Sequence, residues 1–176
     1  SPAPAASGIV AATSGTVRVA GFDVFHESEE VRRRIGYMPE SNPLHLEMRV
    51  REYLKFRGRL KGLGLRRSRE RADLVMEQCG LTHVGRRIIG QLSKGYRQRV
   101  GLAAALLGSP DIVIMDEPTE GLDPNQRAET RNLIKGVAKN RTVILSTHVM
   151  QEALALCSRM IIINKGRLVA DGTPEE

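Results

Sequence analysis

The chain has 176 residues, 41% of them hydrophobic, and carries 27 Lys and Arg against 20 Asp and Glu, a formal charge of +7. That supports one domain with a sizeable core, while no run of about 18 apolar residues exists to span a bilayer and the Ala/Pro/Ser opening lacks the features of a secretory signal, so a cytoplasmic chain is expected. The positive charge suits an acidic partner such as nucleotide, nucleic acid or a phospholipid surface, without choosing among them.

Residues 1–11, SPAPAASGIVA, show neither periodicity nor a motif and read as a disordered lead, with order expected from about Thr13. After Ser14 and Gly15, alternation over 16–20 predicts a strand, and 34–38 predicts another. Pro39 and Pro43 bound a loop. Val50, Tyr53 and Leu54 then open a helix, and Ala72, Val75, Met76 and Cys79 recur at i, i+3, i+4 and i+7, which makes this region a helical insert. Arg49, Arg51, Lys55, Arg57, Arg59, Lys61, Arg66, Arg67, Arg69 and Arg71 crowd one predicted helical stretch, read as a solvated face or as a membrane or partner contact.

A third helix is expected after Leu92-Ser93-Lys94-Gly95, with Val100, Ala103, Ala104 and Leu107 inward and Pro110 beyond its end. From Asp111 onward strands and helices alternate: strands over 112–115 and 142–146, helices over 128–139 and near 149–156, then strands over 160–163 and 167–170 joined by the hairpin residues Asn164-Lys165-Gly166. This alternation predicts an α/β sheet covered by helices, with the long helical region inserted. Cys79 and Cys157 lie far apart without metal-ligand spacing, which argues against a disulfide or zinc framework and leaves two buried thiols.

Chemistry concentrates where apolar runs end. Ile112-Val113-Ile114-Met115 is followed by Asp116, Glu117 and Pro118, and in open α/β sheets ligands sit beyond the carboxyl ends of the strands. Opposite-facing side chains would let Asp116 aim at magnesium and Glu117 at a water above a γ-phosphate; taken alone, the segment also suits a core strand ending in a solvated acidic turn. Gly121-Leu122-Asp123 follows, and Ser146-Thr147-His148 closes the next apolar run. Upstream, Ser93 is a candidate N-cap for the third helix, whose free N–H groups and dipole favour an anion, with Gly95 permitting close backbone approach.

Together, the segments 92–99, 111–118, 121–123 and 147–148 resemble the signature, Walker B, D-loop and H-loop of ABC ATPases, in family order and spacing, across residues 12–176. The resemblance implies a P-loop NTPase-like α/β fold, with a core of 12–40 and 110–176 and a helical subdomain of 41–109 that carries the signature. It implies ATP and Mg2+ as cofactors. Asp116 would hold the magnesium shell, Glu117 would act as general base or water-positioner, and His148 would contact the γ-phosphate. Ser93, Lys94, Gly95 and Asp123 would face nucleotide, with Ser93 and Gly95 serving the site of a second nucleotide-binding subunit in a homodimer or heterodimer. The further partner would be a transmembrane permease, docked on the helical insert and the loop near Glu40, which places the chain peripherally on the inner face of the membrane.

Two positions resemble the exporter branch that serves drug export and gliding-type systems, namely Glu40 at the Q-loop position and Lys94 where the signature more commonly has Gly. Glu40 keeps an oxygen ligand for magnesium while adding negative charge. The Walker A pattern is the departure: no Gly-Lys pair occurs in the chain. The resemblance therefore implies a subunit shortened through its N-terminal strand, phosphate loop and first helix, inactive alone. Two alternatives stand beside it. One is a non-catalytic cassette remnant that pairs with a complete subunit. The other is a nucleic-acid-associated ABC ATPase, which lacks support from any coiled-coil insertion, second cassette or aromatic content (3%), so no nucleic acid is expected as a partner.

Overall fold

The computed structural model describes residues 14–174, so the expectations for 1–11 and for the start of order near Thr13 lie outside the described residues. The first element is a hairpin, β1 (Arg18–Val19) antiparallel to β2 (Phe22–Asp23). Ala20 and Gly21 between them have φ of 51° and 86°, the mirror-image turn that suits the right-handed twist of a hairpin. The strand expected over 16–20 is therefore only two residues long. A short helix, α1 (Ser28–Arg34), follows, with Val31 its one buried residue. Periodicity could not find it. Its signal lay in charge order, with Glu29 and Glu30 in the first turn paired to Arg33 and Arg34 in the last at 2.8–3.1 Å.

Three parallel strands form the central sheet in the order β3 (Ile35–Met38), β4 (Ile112–Asp116), β5 (Thr142–Ser146). Between β3 and β4 come α2 (Val50–Leu60), α3 (Leu65–Gln78) and α4 (Lys94–Leu106). The basic run is thus not one helical face but two helices around a turn at Gly62, whose φ is 82°. Its members also differ in what they do. Arg51 pairs with Asp73 across the two helices at 2.6 Å, and Arg71 donates to the carbonyls of Leu106 (2.9 Å) and Leu107 (3.0 Å), satisfying the open end of α4.

After β4 come α5 (Pro124–Ala138), β5, α6 (Met150–Leu156) and the antiparallel hairpin β6 (Met160–Asn164) with β7 (Arg167–Gly172). Lys165 and Gly166 take φ of 49° and 75° at its turn, as the Asn-Lys-Gly chemistry predicts. No helix among the described residues is long and apolar enough to cross a membrane.

The core explains where β4 ends. Val113 and Met115 pack into the cluster built by α2, α3 and α4, whereas Ile114 points the other way into a smaller cluster with Val19, Val31 and Ile35. Burial of both faces anchors the strand, each large side chain contributing about 1.5–3 kcal/mol, and delivers its carboxyl end to a defined place. On β3, α4 comes so close that a Cβ on Gly36 would lie 2.5 Å from the Ala105 carbonyl oxygen. Both cysteines are free. Cys79 is buried, and desolvation pushes its thiol up to about 12; Cys157 is only half-buried, because α6 ends there near the surface, which corrects the expectation of two buried thiols.

Candidate functional site

Asp116 and Ser146 are the last residues of β4 and β5 and lie in register. The Ser146 hydroxyl donates to the Asp116 carboxylate, so one of its two oxygens is engaged and the other is left for a ligand. Glu117 leaves the strand instead of continuing it. Its φ is 45°, a left-handed conformation costly for a residue with a Cβ, and its N–H donates to the Ser146 carbonyl at 3.0 Å. The separation of Asp116 from Glu117 thus arises from a backbone turn, and strand alternation stops one residue earlier than expected.

The Glu117 carboxylate is held from β5 and the loop beyond it. It accepts from the His148 backbone N–H at 2.8 Å, from His148 Nδ1 at 2.8 Å and from the Thr147 hydroxyl at 3.3 Å. Thr147 Oγ1 in turn accepts from the Val149 N–H at 3.1 Å, which steers the chain toward α6. The hydrogen bond that His148 donates to Glu117, then the Glu117 charge, and after these the charges of Glu120 and Glu40, raise the pKa of His148 above its ordinary value.

Glu40, in the turn after β3, belongs to the same acidic group. A hydrogen bond shared with Glu120, then the charge of Glu120 and those of Asp116 and Glu117, hold its carboxyl above the usual range. Beneath them, burial first and the Asp116 charge second push the Tyr37 hydroxyl up. Among the described residues no three His, Cys, Asp or Glu side chains are arranged to hold a metal by themselves. The donors present are carboxylate oxygens crowded by like charge, which suits magnesium, a hard cation that takes one or two carboxylates and completes its shell with water and phosphate.

The signature residues stand apart from these acids. Ser93 caps α4, accepting from the Tyr96 N–H at 3.4 Å. Lys94 is exposed and extends over Gly121, where a Cβ would meet its Nζ at 2.2 Å. Gly95 is buried beneath Gln126 of α5, whose Oε1 would lie 2.4 Å from a Cβ. Asp123 is the N-cap of α5, accepting from the N–H groups of Asn125 and Gln126 at 3.0 Å each. Among the described residues no hydrogen bond or ion pair joins Ser93, Lys94, Gly95 or Asp123 to Asp116, Glu117 or Glu40. The structure therefore brings Glu40, Asp116, Glu117 and His148 together, and the signature and D-loop together, as two groups.

Sequence reasoning missed Glu120 and Gln126. Glu120 carries a weak signal, an acid three residues after Glu117 in the turn that follows the strand; Gln126 carries none, since its role is contact with Gly95.

A family model described as ABC transporter matches residues 4–120, reaching into the stretch 1–11. The chain is similar to the daunorubicin resistance ATP-binding protein DrrA3 of Streptomyces coeruleorubidus, 40% identical over 93% of this chain and 52% of that protein. It is also similar to the Nod factor export ATP-binding protein I of Paraburkholderia xenovorans, 36% identical over 95% of this chain and 55% of that protein, and to the human retinal-specific phospholipid-transporting ATPase ABCA4, 36% identical over 96% of this chain and 7% of that protein. The chain spans about half the length of the bacterial relatives it matches.

Proposed function

The chain belongs to the ABC transporter ATP-binding family, and from that premise we propose that it is the Walker B, signature and H-loop portion of an ATP-binding subunit that energises export through a membrane permease. One observation carries the reading: the acid that follows β4 and the histidine that follows β5 are held together at 2.8 Å, where an α/β sheet presents ligands. The export direction leans on the relatives, two of whose names refer to drug resistance and Nod factor export. Their substrates stay theirs.

In this reading Glu117 orients the attacking water. Its carboxylate is already fixed by three donors, so little reorganisation is needed at the moment of reaction. His148, exposed and protonated more readily than usual, faces a developing negative charge on the γ-phosphate. Asp116 and Glu40 would hold magnesium, which when bound would neutralise phosphate charge. Ser93 and Lys94, exposed at the start of α4 and unconnected to their own chain's acids, suit the nucleotide of a second subunit. The division into a core of 12–40 and 110–176 and a helical part of 41–109 belongs to the same proposal, as does a place on the inner membrane face beside the permease.

A glycine-rich phosphate loop with its lysine is not encoded in these 176 residues, so by themselves they should bind ATP weakly and turn it over poorly. Titration calorimetry with magnesium and ATP tests this on the chain itself and on a chimera carrying the strand, loop and helix of a complete family member. Binding by the chimera alone supports the proposal. Equal binding by both overturns the account of how phosphate is held.

A further inference from the structure

Buried side-chain oxygens in folded chains are nearly always paired, so one left open calls for a bound group. Two such atoms belong to neighbouring helices. Gln98 of α4 is 6% exposed and Thr130 of α5 is 4% exposed, and Gln98 Oε1 and Thr130 Oγ1 have no hydrogen-bond partner among the described residues. The other end of the Gln98 amide fixes its orientation. Nε2 donates to the Glu120 carbonyl at 3.5 Å, which only an N–H group can do, so Oε1 is the end left over. A threonine in mid-helix commonly bonds back to the carbonyl one turn earlier, here that of Gln126, yet the Thr130 hydroxyl does not.

Both residues line one cavity of about 10 Å³, about the least that a single water molecule needs and too small for any larger ligand. Its remaining walls are mostly apolar, with Met38, Leu102, Met115, Pro118 and Ile134 among them. Arg99 also reaches the lining, but its guanidinium pairs with Glu129 and lies over the Tyr96 ring at 5.2 Å. An anion would find no free cation there, and a metal ion would find no carboxylate on the lining. Water both donates and accepts. It can donate to Gln98 Oε1 and share a hydrogen bond with the Thr130 hydroxyl in either sense.

We propose that this cavity holds one long-lived water that bridges Gln98 Oε1 and Thr130 Oγ1, and that the bridge positions the turn after β4. Two of its walls, Met115 and Pro118, flank Asp116 and Glu117 in the chain. The amide whose oxygen the water holds is also the group that ties α4 to the Glu120 carbonyl. Gln98 and Thr130 are thus positioning residues for the acidic turn. The packing of α4, β4 and α5 carries the inference, independently of the transport reading.

The test is oxygen-17 relaxation dispersion of the solvent in solutions of the full chain, which counts waters held long enough to tumble with the protein. Thr130→Val keeps the shape of the side chain and removes the hydroxyl, and the dispersion should fall by the contribution of one water. Thr130→Ser keeps the hydroxyl and should keep that water. Gln98→Met, on the other helix, should lose one water as well, and keeps the test readable where circular dichroism shows that Thr130→Val misfolds. The double variant should lose one water, not two. Hydrogen exchange reads the positioning. The Glu120 and Leu122 amides, which donate to the carbonyls of Glu117 (3.1 Å) and Thr119 (3.3 Å), should exchange several-fold faster in Thr130→Val than in Thr130→Ser, with exchange in α3 unchanged. An undiminished dispersion in Thr130→Val and Gln98→Met overturns the site. Loss of two waters in the double variant overturns the bridge, and equal exchange at the turn in the Val and Ser variants overturns the positioning role.

Discussion

Glu117 and His148, 31 positions apart, are joined twice at one carboxylate oxygen, by the backbone N–H of His148 and by its ring Nδ1, each at 2.8 Å. Since a carboxylate only accepts, the proton sits on Nδ1, and Nε2 is left outward for a further partner. The pairing ties the ends of two neighbouring parallel strands to one chemical task.

This pairing sets a pH dependence. The folded-state pKa of His148 is raised above 6.5 by Glu117, so the folded chain holds this proton more strongly than the unfolded chain. The stabilisation is fully present below about pH 6.5 and is lost as pH rises through the folded value. In Glu117→Gln, the His148 ring signal in NMR should titrate at lower pH than in the unmodified chain; an unchanged titration would show that the pairing is not formed in solution.

Two of the tightly packed glycines, Gly36 and Gly95, should respond differently to a methyl group. Gly36→Ala drives a Cβ against the Ala105 backbone carbonyl, which cannot move without shifting α4, and should lower stability by about 1–3 kcal/mol. Gly95→Ala meets only the far end of Gln126, a flexible side chain, and should cost less than about 1 kcal/mol. Urea unfolding of both variants reads the difference, and equal losses would contradict the packing described.

Glu152, 3% exposed, lies between Arg127 (3.7 Å) and Arg131 (3.6 Å) of α5, tying the helix after His148 to the helix that Asp123 caps. Glu152→Ala should destabilise the chain by about 1–3 kcal/mol, because it removes the buried counter-charge that lies between two guanidinium groups. Thermal unfolding checks the loss, and hydrogen exchange at Thr147 to Val149 should quicken more than exchange in α2.

The cysteines should separate by reactivity. With its thiol pushed up to about 12 and fully enclosed, Cys79 should resist iodoacetamide at neutral pH under native conditions, while half-buried Cys157 is alkylated measurably faster. Peptide mass spectrometry over time reports both. Faster labelling of Cys79 would mean that the α2–α4 core opens readily.

How far the sequence reached depended on the range of the interaction. The strands β4 and β5, the start of α4 at Ser93, the hairpin turn at Lys165 and the acids after Met115 were legible because each is written in a few adjacent residues, as a period, a cap or a turn chemistry. Helix α1 was missed because charge pairing rather than an apolar stripe supports it, and the basic run was read as one helix because a turn at Gly62 leaves the helical period intact on either side. Tertiary structure alone decided that Glu117 turns left-handed into reach of His148, that Gln126 covers Gly95, that Lys94 lies over Gly121, and that Gln98 and Thr130 line one cavity. Each of those contacts joins elements that are encoded separately, and sheet order and helix packing, which no local pattern carries, determine which of them meet.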